Sequence, residues 1–96
     1  MTIGVIARVT IAPGKGAEFE EIFAAQAEQV RANEPANHMY KLFRSRAAPD
    51  SYVVMEVYDD DAALEAHRAA PHMAANRPRI APLIAAPTVV EIYDAT

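Results

Sequence analysis

Hydrophobic and polar positions along this 96-residue chain follow two alternating periods. Residues 3–11 (Ile-Gly-Val-Ile-Ala-Arg-Val-Thr-Ile) are rich in β-branched side chains and read as a strand. Ala12-Pro13-Gly14-Lys15-Gly16 follows, a turn by its proline and two glycines. Over residues 17–33, Phe19, Ile22, Phe23, Gln26 and Val30 recur at helical spacing, while Glu18, Glu20, Glu21 and Glu28 fall mostly on other faces. That is an amphipathic helix whose early glutamates lie where the helix dipole favours them. Glu34-Pro35-Ala36 stops it.

Residues 37–46 and 52–58 read as two strands joined through Ala47-Ala48-Pro49-Asp50-Ser51, a hairpin. Asp59-Asp60-Asp61 supplies an N-cap and first-turn acids for a helix running to Ala70. Pro71 breaks it, and residues 72 to about 86 form a further helical stretch interrupted at Pro78 and Pro82. Residues 88–93 close the chain as a last strand.

The order is β-α-β-β-α-β with an additional helical segment in the second crossover. The fold class is therefore α+β, ferredoxin-like, a four-stranded antiparallel sheet with helices on one face. No helix is left for the other face. Yet both alternating sets of the second hairpin strand are largely apolar: Tyr52, Val54 and Tyr58 on one side, Val53, Met55 and Val57 on the other. Two sheets packed face to face across a two-fold axis would bury both, so a homodimer is expected.

Ninety-six residues make one domain, spanning 1–96. Apolar residues are 52% of the chain, a globular composition. The net charge of −4 argues against a nucleic-acid partner, which calls for a basic face. With no cysteine, disulfides, thiolate metal sites and cysteine nucleophiles are excluded. The first residues lack the basic start and apolar stretch of a signal peptide, and no apolar run approaches the roughly 20 residues of a membrane span. The expectation is a cytoplasmic protein with no membrane partner.

Candidate chemistry gathers in residues 64–73, Leu-Glu-Ala-His-Arg-Ala-Ala-Pro-His-Met, which set His67 and His72 on either side of a proline break. Histidine titrates near neutrality, so two at a helix–helix junction suggest proton exchange. The plainer reading makes His67 a packed helix residue and His72 a helix-start residue. If Ala63 and Leu64 face the sheet, His67 shares that face and points beside Glu56 or Tyr58. Arg44 shares a mostly apolar strand face with His38, Tyr40 and Leu42 and needs a partner; Glu56 on the adjacent strand is one candidate, and a salt bridge at the sheet edge or a dimer interface is the plainer reading. Arg77, one turn after Met73, is placed to meet an enolate or carboxylate if it is not simply solvated. Phe19, Ile22, Phe23 and Met73 read as core, and core residues in such a fold also form pocket walls. The five-residue spacing of His67 and His72 across a proline is not the i, i+4 pattern of a helical metal pair, so no metal site is expected. Gly14 and Gly16 lack the third glycine of a phosphate loop.

Several pieces taken together resemble the antibiotic biosynthesis monooxygenase domain family, a set of dimeric α+β barrels. They are Ala12-Pro13-Gly14-Lys15 after the first strand, Phe19, Glu34-Pro35, Tyr40, the strand Tyr52-Val53-Val54-Met55-Glu56-Val57-Tyr58-Asp59, and Ala63-Leu64-Glu65-Ala66-His67 followed by Pro71-His72-Met73. Members of that family oxygenate polyketide anthrones or quinols with molecular oxygen and no cofactor; others degrade haem or process small signalling molecules. The family's frequent Glu-Pro-Gly turn is Glu34-Pro35-Ala36 here, and a common strand tryptophan is Tyr58. The asparagine of haem-degrading members falls at Ala7, and their haem-ligating histidine around Asn76 or Arg77. Haem degradation is not expected.

The resemblance implies a cofactor-independent monooxygenase acting on an electron-rich aromatic of quinol or anthrone type, a homodimer with a small aromatic substrate and molecular oxygen as partners. His67 is assigned as proton acceptor or anion stabiliser. Tyr58 and Tyr40 are pocket donors, His72 and Arg77 secondary polar contacts, and Phe23, Met73, Arg44 and Glu56 complete the candidate pocket. One alternative is an isomerase or degradative enzyme for a small carbonyl compound, which a wet, polar pocket would favour. Another is a non-enzymatic dimeric ligand-binding protein, favoured if Phe23, Met73 and Met55 filled the cavity.

Overall fold

The computed structural model describes residues 1–96. Its elements are β1 (Ile3–Thr10), α1 (Gly16–Asn33), β2 (Asn37–Arg44), β3 (Ser51–Tyr58), α2 (Asp61–Ala69), α3 (Pro71–Ile80), a 3-10 turn over Ala81–Leu83, and β4 (Val89–Asp94). The strands pair antiparallel in the order β2-β3-β1-β4, the ferredoxin-like arrangement.

The two-residue period of β1 decides which face is buried. Ile3, Val5, Ala7 and Val9 point under the helices, opposite Tyr58, Glu56, Val54 and Tyr52 of β3. α1 lays Phe19, Ile22, Phe23, Ala27 and Val30 onto this face. Phe23 stacks on Tyr40 of β2 at 5.0 Å between ring centroids, and Phe19 meets Tyr52 edge-on at 5.1 Å. Gly14 supplies the one positive φ, 81°, in the turn between β1 and α1, a conformation a side chain would strain. Asp60 caps α2: its carboxylate accepts from the Ala63 N–H at 2.9 Å. Asp60→Ala is expected to cost about 0.5–2 kcal/mol and to lower Tm by about 4–8 °C per kcal/mol, read by thermal melts.

The second crossover differs from the sequence reading. Pro78 does not interrupt α3, which runs on to Ile80; a proline removes one hydrogen bond without forcing the next turn apart. Pro82 lies within the 3-10 turn, and helical structure ends at Leu83, not near residue 86. Beyond it the chain joins the β1 edge, with the Ala85 N–H donating to the Thr10 carbonyl and Ile84 bridging Ile11.

The other sheet face has no helix over it. Ile6, Met55 and Lys41 form one row across β1, β3 and β2; Arg8, Val53 and Phe43 form the next. β4 is exposed along its whole length, including Val89, Val90, Ile92 and Tyr93. No helix of the chain is long and apolar enough to cross a membrane.

Candidate active site

The break at Pro71 assembles the site. A single residue, Ala70, separates α2 from α3, and its backbone is extended (φ −64°, ψ 143°), as a following proline favours. His67 in the last turn of α2 and His72 at the start of α3 therefore close on one carboxylate, Glu34, at the end of α1. Nδ1 of His67 donates to the two Glu34 oxygens at 2.9 and 3.0 Å, and Nε2 of His72 donates to Oε2 at 2.5 Å. An ionised carboxylate only accepts, so it fixes the proton of each ring on the nitrogen facing it. All three side chains are buried to about nine-tenths or more: 10% of Glu34, 5% of His67 and 10% of His72 is exposed.

Behind the triad a second carboxylate continues the polar chain. Nε2 of His67 lies 3.8 Å from Glu56 Oε1, which accepts from the Tyr58 hydroxyl at 2.7 Å. The His67 ring sits between those of Tyr40 and Tyr58, at 5.3 and 5.4 Å. Tyr40 in turn accepts from the Gln26 side-chain amide at 2.6 Å. Burial pushes the Glu56 carboxyl above its ordinary range, against the opposing Tyr58 hydrogen bond and the His67 and Arg68 charges. Burial, then the Glu56 charge, pushes the Tyr58 and Tyr40 hydroxyls well above the usual phenol range, so both stay protonated donors.

Because burial raises Glu56, the folded chain keeps its proton at pH values where the unfolded chain has released it. Stability is then whole below the ordinary carboxylate pKa and falls as pH rises through the raised one. Glu56→Gln removes this titration and keeps an acceptor for Tyr58. The variant is expected to melt higher than the parent at pH 8 and to lose that advantage at pH 4; parallel pH profiles of Tm would contradict it.

A cavity of about 870 Å³ opens against the triad, between the end of α1, the α1–β2 turn, α2 and α3. Ala63, Ala66, Ala69, Ala70 and Ala75 form its smooth wall. Gln29, Asn33, Asn37 and Asn76 supply amides around Glu34 and His72, with Tyr58 alongside.

Of the residues singled out in the sequence, His72 and Tyr58 line this cavity. His67 points between helix and sheet beside Glu56 and Tyr58, as expected, but it lies behind Glu34 rather than on the cavity wall. Glu56, Tyr40 and Phe23 are buried in the layer beneath and do not line it. Arg44 makes a salt bridge at the sheet edge, the plainer of the two readings: it pairs with Glu20 of α1 at 3.2 Å on the edge strand β2. The correction is to its Glu56 pairing and its place in the pocket, because the register puts Arg44 opposite Tyr52 and Glu56 opposite Tyr40, and Arg44 does not line the cavity. Arg77 is another: its guanidinium donates to the Arg68 carbonyl at the end of α2, tying the two helices together away from the cavity. Met73 is half-buried rather than core, since α3 buries no residue fully. The five-residue spacing of His67 and His72 is not where their relation lies. The turn at Ala70 brings the donor atoms of Glu34, His67 and His72 within 4.8 Å of one another, a grouping that helical periodicity does not contain. Glu34 is the site residue that sequence reasoning does not assign: it enters as a helix stop and as part of the Glu34-Pro35 family turn, and that turn is the available signal.

The sequence model of the family described as antibiotic biosynthesis monooxygenase matches residues 2–79. No protein of curated function matches the sequence. Among solved structures, a Caulobacter crescentus CB15 protein assigned to the antibiotic biosynthesis monooxygenases is 37% identical, with a TM-score of 0.96 over 99% of this chain and 90% of its own. Rv0793 from Mycobacterium tuberculosis is 25% identical, with a TM-score of 0.89 over 100% and 96%. A variant of SnoaB, a cofactor-independent oxygenase from Streptomyces nogalater, is 26% identical, with a TM-score of 0.84 over 98% and 92%.

Proposed function

The chain belongs to the antibiotic biosynthesis monooxygenase family, and on that premise we propose that it is a cofactor-independent oxygenase of an electron-rich aromatic, of quinol or anthrone type. The observation that carries the reading is the Glu34 carboxylate held between two imidazoles at the wall of a cavity large enough for such a substrate. Glu34 fixes the Nε2 proton of His72 and stabilises the imidazolium form, leaving Nδ1, which makes no hydrogen bond within the chain, as the proton acceptor. His67 braces the other side of the carboxylate and acts as a positioning residue. The amides of Asn33, Asn37 and Asn76 line the cavity and are the donors for a developing oxyanion; the Tyr58 hydroxyl, whose one proton goes to Glu56, is not.

For an anthrone, His72 takes a proton from the methylene carbon, and the resulting carbanion supplies electrons to molecular oxygen. The carbon then gives up its second hydrogen. One oxygen atom becomes the new carbonyl and the other leaves as water, so the substrate itself is the reductant. Oxygen uptake with a panel of anthrones and hydroquinones tests this, with one O₂ consumed per anthrone and no added cofactor. Absence of uptake across both classes would sink it. A second reading, an isomerase or degradative enzyme for a small polar carbonyl compound, is favoured by the amides on the cavity rim, and turnover of such a compound without oxygen consumption would select it.

The functional unit is a homodimer in this reading, formed by the uncovered sheet face and the exposed β4 strand. Phe23 is packed on Tyr40, Met55 lies on the opposite sheet face, and neither these nor Met73 line the cavity, which supports the enzymatic reading over a filled, non-enzymatic one.

A further inference from the structure

We propose that Glu34, His67 and His72 form a binding site for one divalent transition-metal ion of the zinc class, so that proton and metal are alternative occupants of the same triad. The proposal uses the geometry of the triad and does not depend on the oxygenase reaction.

Three observations converge. The Nδ1 of His67, the Nε2 of His72 and a Glu34 oxygen lie within 4.8 Å of one another on side chains that are already buried and held by packing. Zinc with ligands at about 2.0–2.1 Å sets its donor atoms roughly 3.3 Å apart in a tetrahedron. The present separations from Glu34 are 2.5 to 3.0 Å, and the two imidazole nitrogens lie within 4.8 Å of each other, so binding an ion would draw the two rings together by at most about 1.5 Å. Second, two imidazoles and one carboxylate suit zinc, ferrous or cobaltous ions, whereas magnesium and calcium prefer all-oxygen sites. Third, the surroundings are those of a ligating histidine. When Nδ1 of His67 binds metal, its remaining proton must sit on Nε2, and Nε2 faces the Glu56 carboxylate at 3.8 Å, itself anchored by Tyr58. Glu34 and His72 line the cavity, which gives an ion a route of entry and room for a water ligand. An ion bound at Nε2 of His72 leaves the ring's one proton on Nδ1, so loading with zinc removes the proton acceptor.

The test is calorimetric titration of chelator-treated protein with zinc chloride. Saturation at one zinc per chain is expected, with no comparable signal from magnesium chloride. His72→Ala should weaken zinc binding by at least about 10–100-fold, the loss that follows removal of even an outer-sphere partner. His38→Ala, which disrupts the exposed His38–Asp59 pair instead, should leave it unchanged. No saturable zinc binding, or equal binding by His72→Ala and the parent, overturns the proposal. If His72→Ala does not fold by circular dichroism, anomalous diffraction from parent crystals soaked in zinc decides. A peak between Glu34, His67 and His72 supports the site; a peak only elsewhere, or none, overturns it. None of these readouts is turnover, so failure to bind zinc and failure to consume oxygen are separate results.

Discussion

His72→Ala is expected to lower turnover of a competent anthrone or hydroquinone by about 10²–10⁴-fold, the range lost when a positioned general base is removed. The loss should fall on kcat, because proton removal occurs in the transition state and substrate binding draws on the rest of the cavity wall. Glu34→Gln separates two roles of the carboxylate. Glutamine keeps an acceptor for one imidazole but carries no charge to stabilise an imidazolium, so turnover should fall while the fold persists. His67→Ala should act through Glu34, and its effect should shrink in a Glu34→Gln background, since the carboxylate it braces is already neutralised. A double-mutant cycle with additive losses would remove His67 from this arrangement. Undiminished turnover in His72→Ala would remove the proton acceptor.

Met55→Lys is expected to convert the protein from a dimer of twice the 10.5 kDa chain mass to a monomer in light scattering at micromolar concentration. Met55 lies on the uncovered sheet face and is 37% exposed in the single chain, so a lysine there stays in water while the chain is alone. In a face-to-face pair it would be buried next to Lys41, its neighbour on β2. An uncompensated buried charge costs several kcal/mol, weakening association by about 10²–10⁴-fold. A monomeric parent protein, or a variant that stays dimeric, would show that this face is not the interface.

What could be read from sequence followed the range of the interactions involved. β1 was legible because its two-residue alternation is local, and the cap at Asp60 because a carboxylate three residues before its amide is local too. The Arg44 partner was not, since choosing between Glu20 and Glu56 needs the β2–β3 register and the lie of α1 together. Met73 has the character of a core residue, but burial is decided by how far α3 stands from the sheet. The triad was half legible. His67 and His72 announced themselves by residue type, while their convergence on Glu34 depends on one extended residue at Ala70 and on a carboxylate 33 positions from His67.

The helix ends around Glu34 give the site a sign. Glu34 caps the C-terminal end of α1 and His67 lies in the last turn of α2, helix ends that each carry about half a negative charge, while His72 opens α3, whose start carries about half a positive one. With the carboxylate added, the site is a sink for positive charge. It favours whatever arrives neutral and leaves a proton behind, because the imidazolium formed is welcomed and the new substrate anion has that cation beside it. A substrate that enters already ionised meets the same field before any proton has moved. Neutral phenols should therefore outcompete their carboxylated analogues, and raising ionic strength should narrow the gap only slightly, since buried charges are poorly screened.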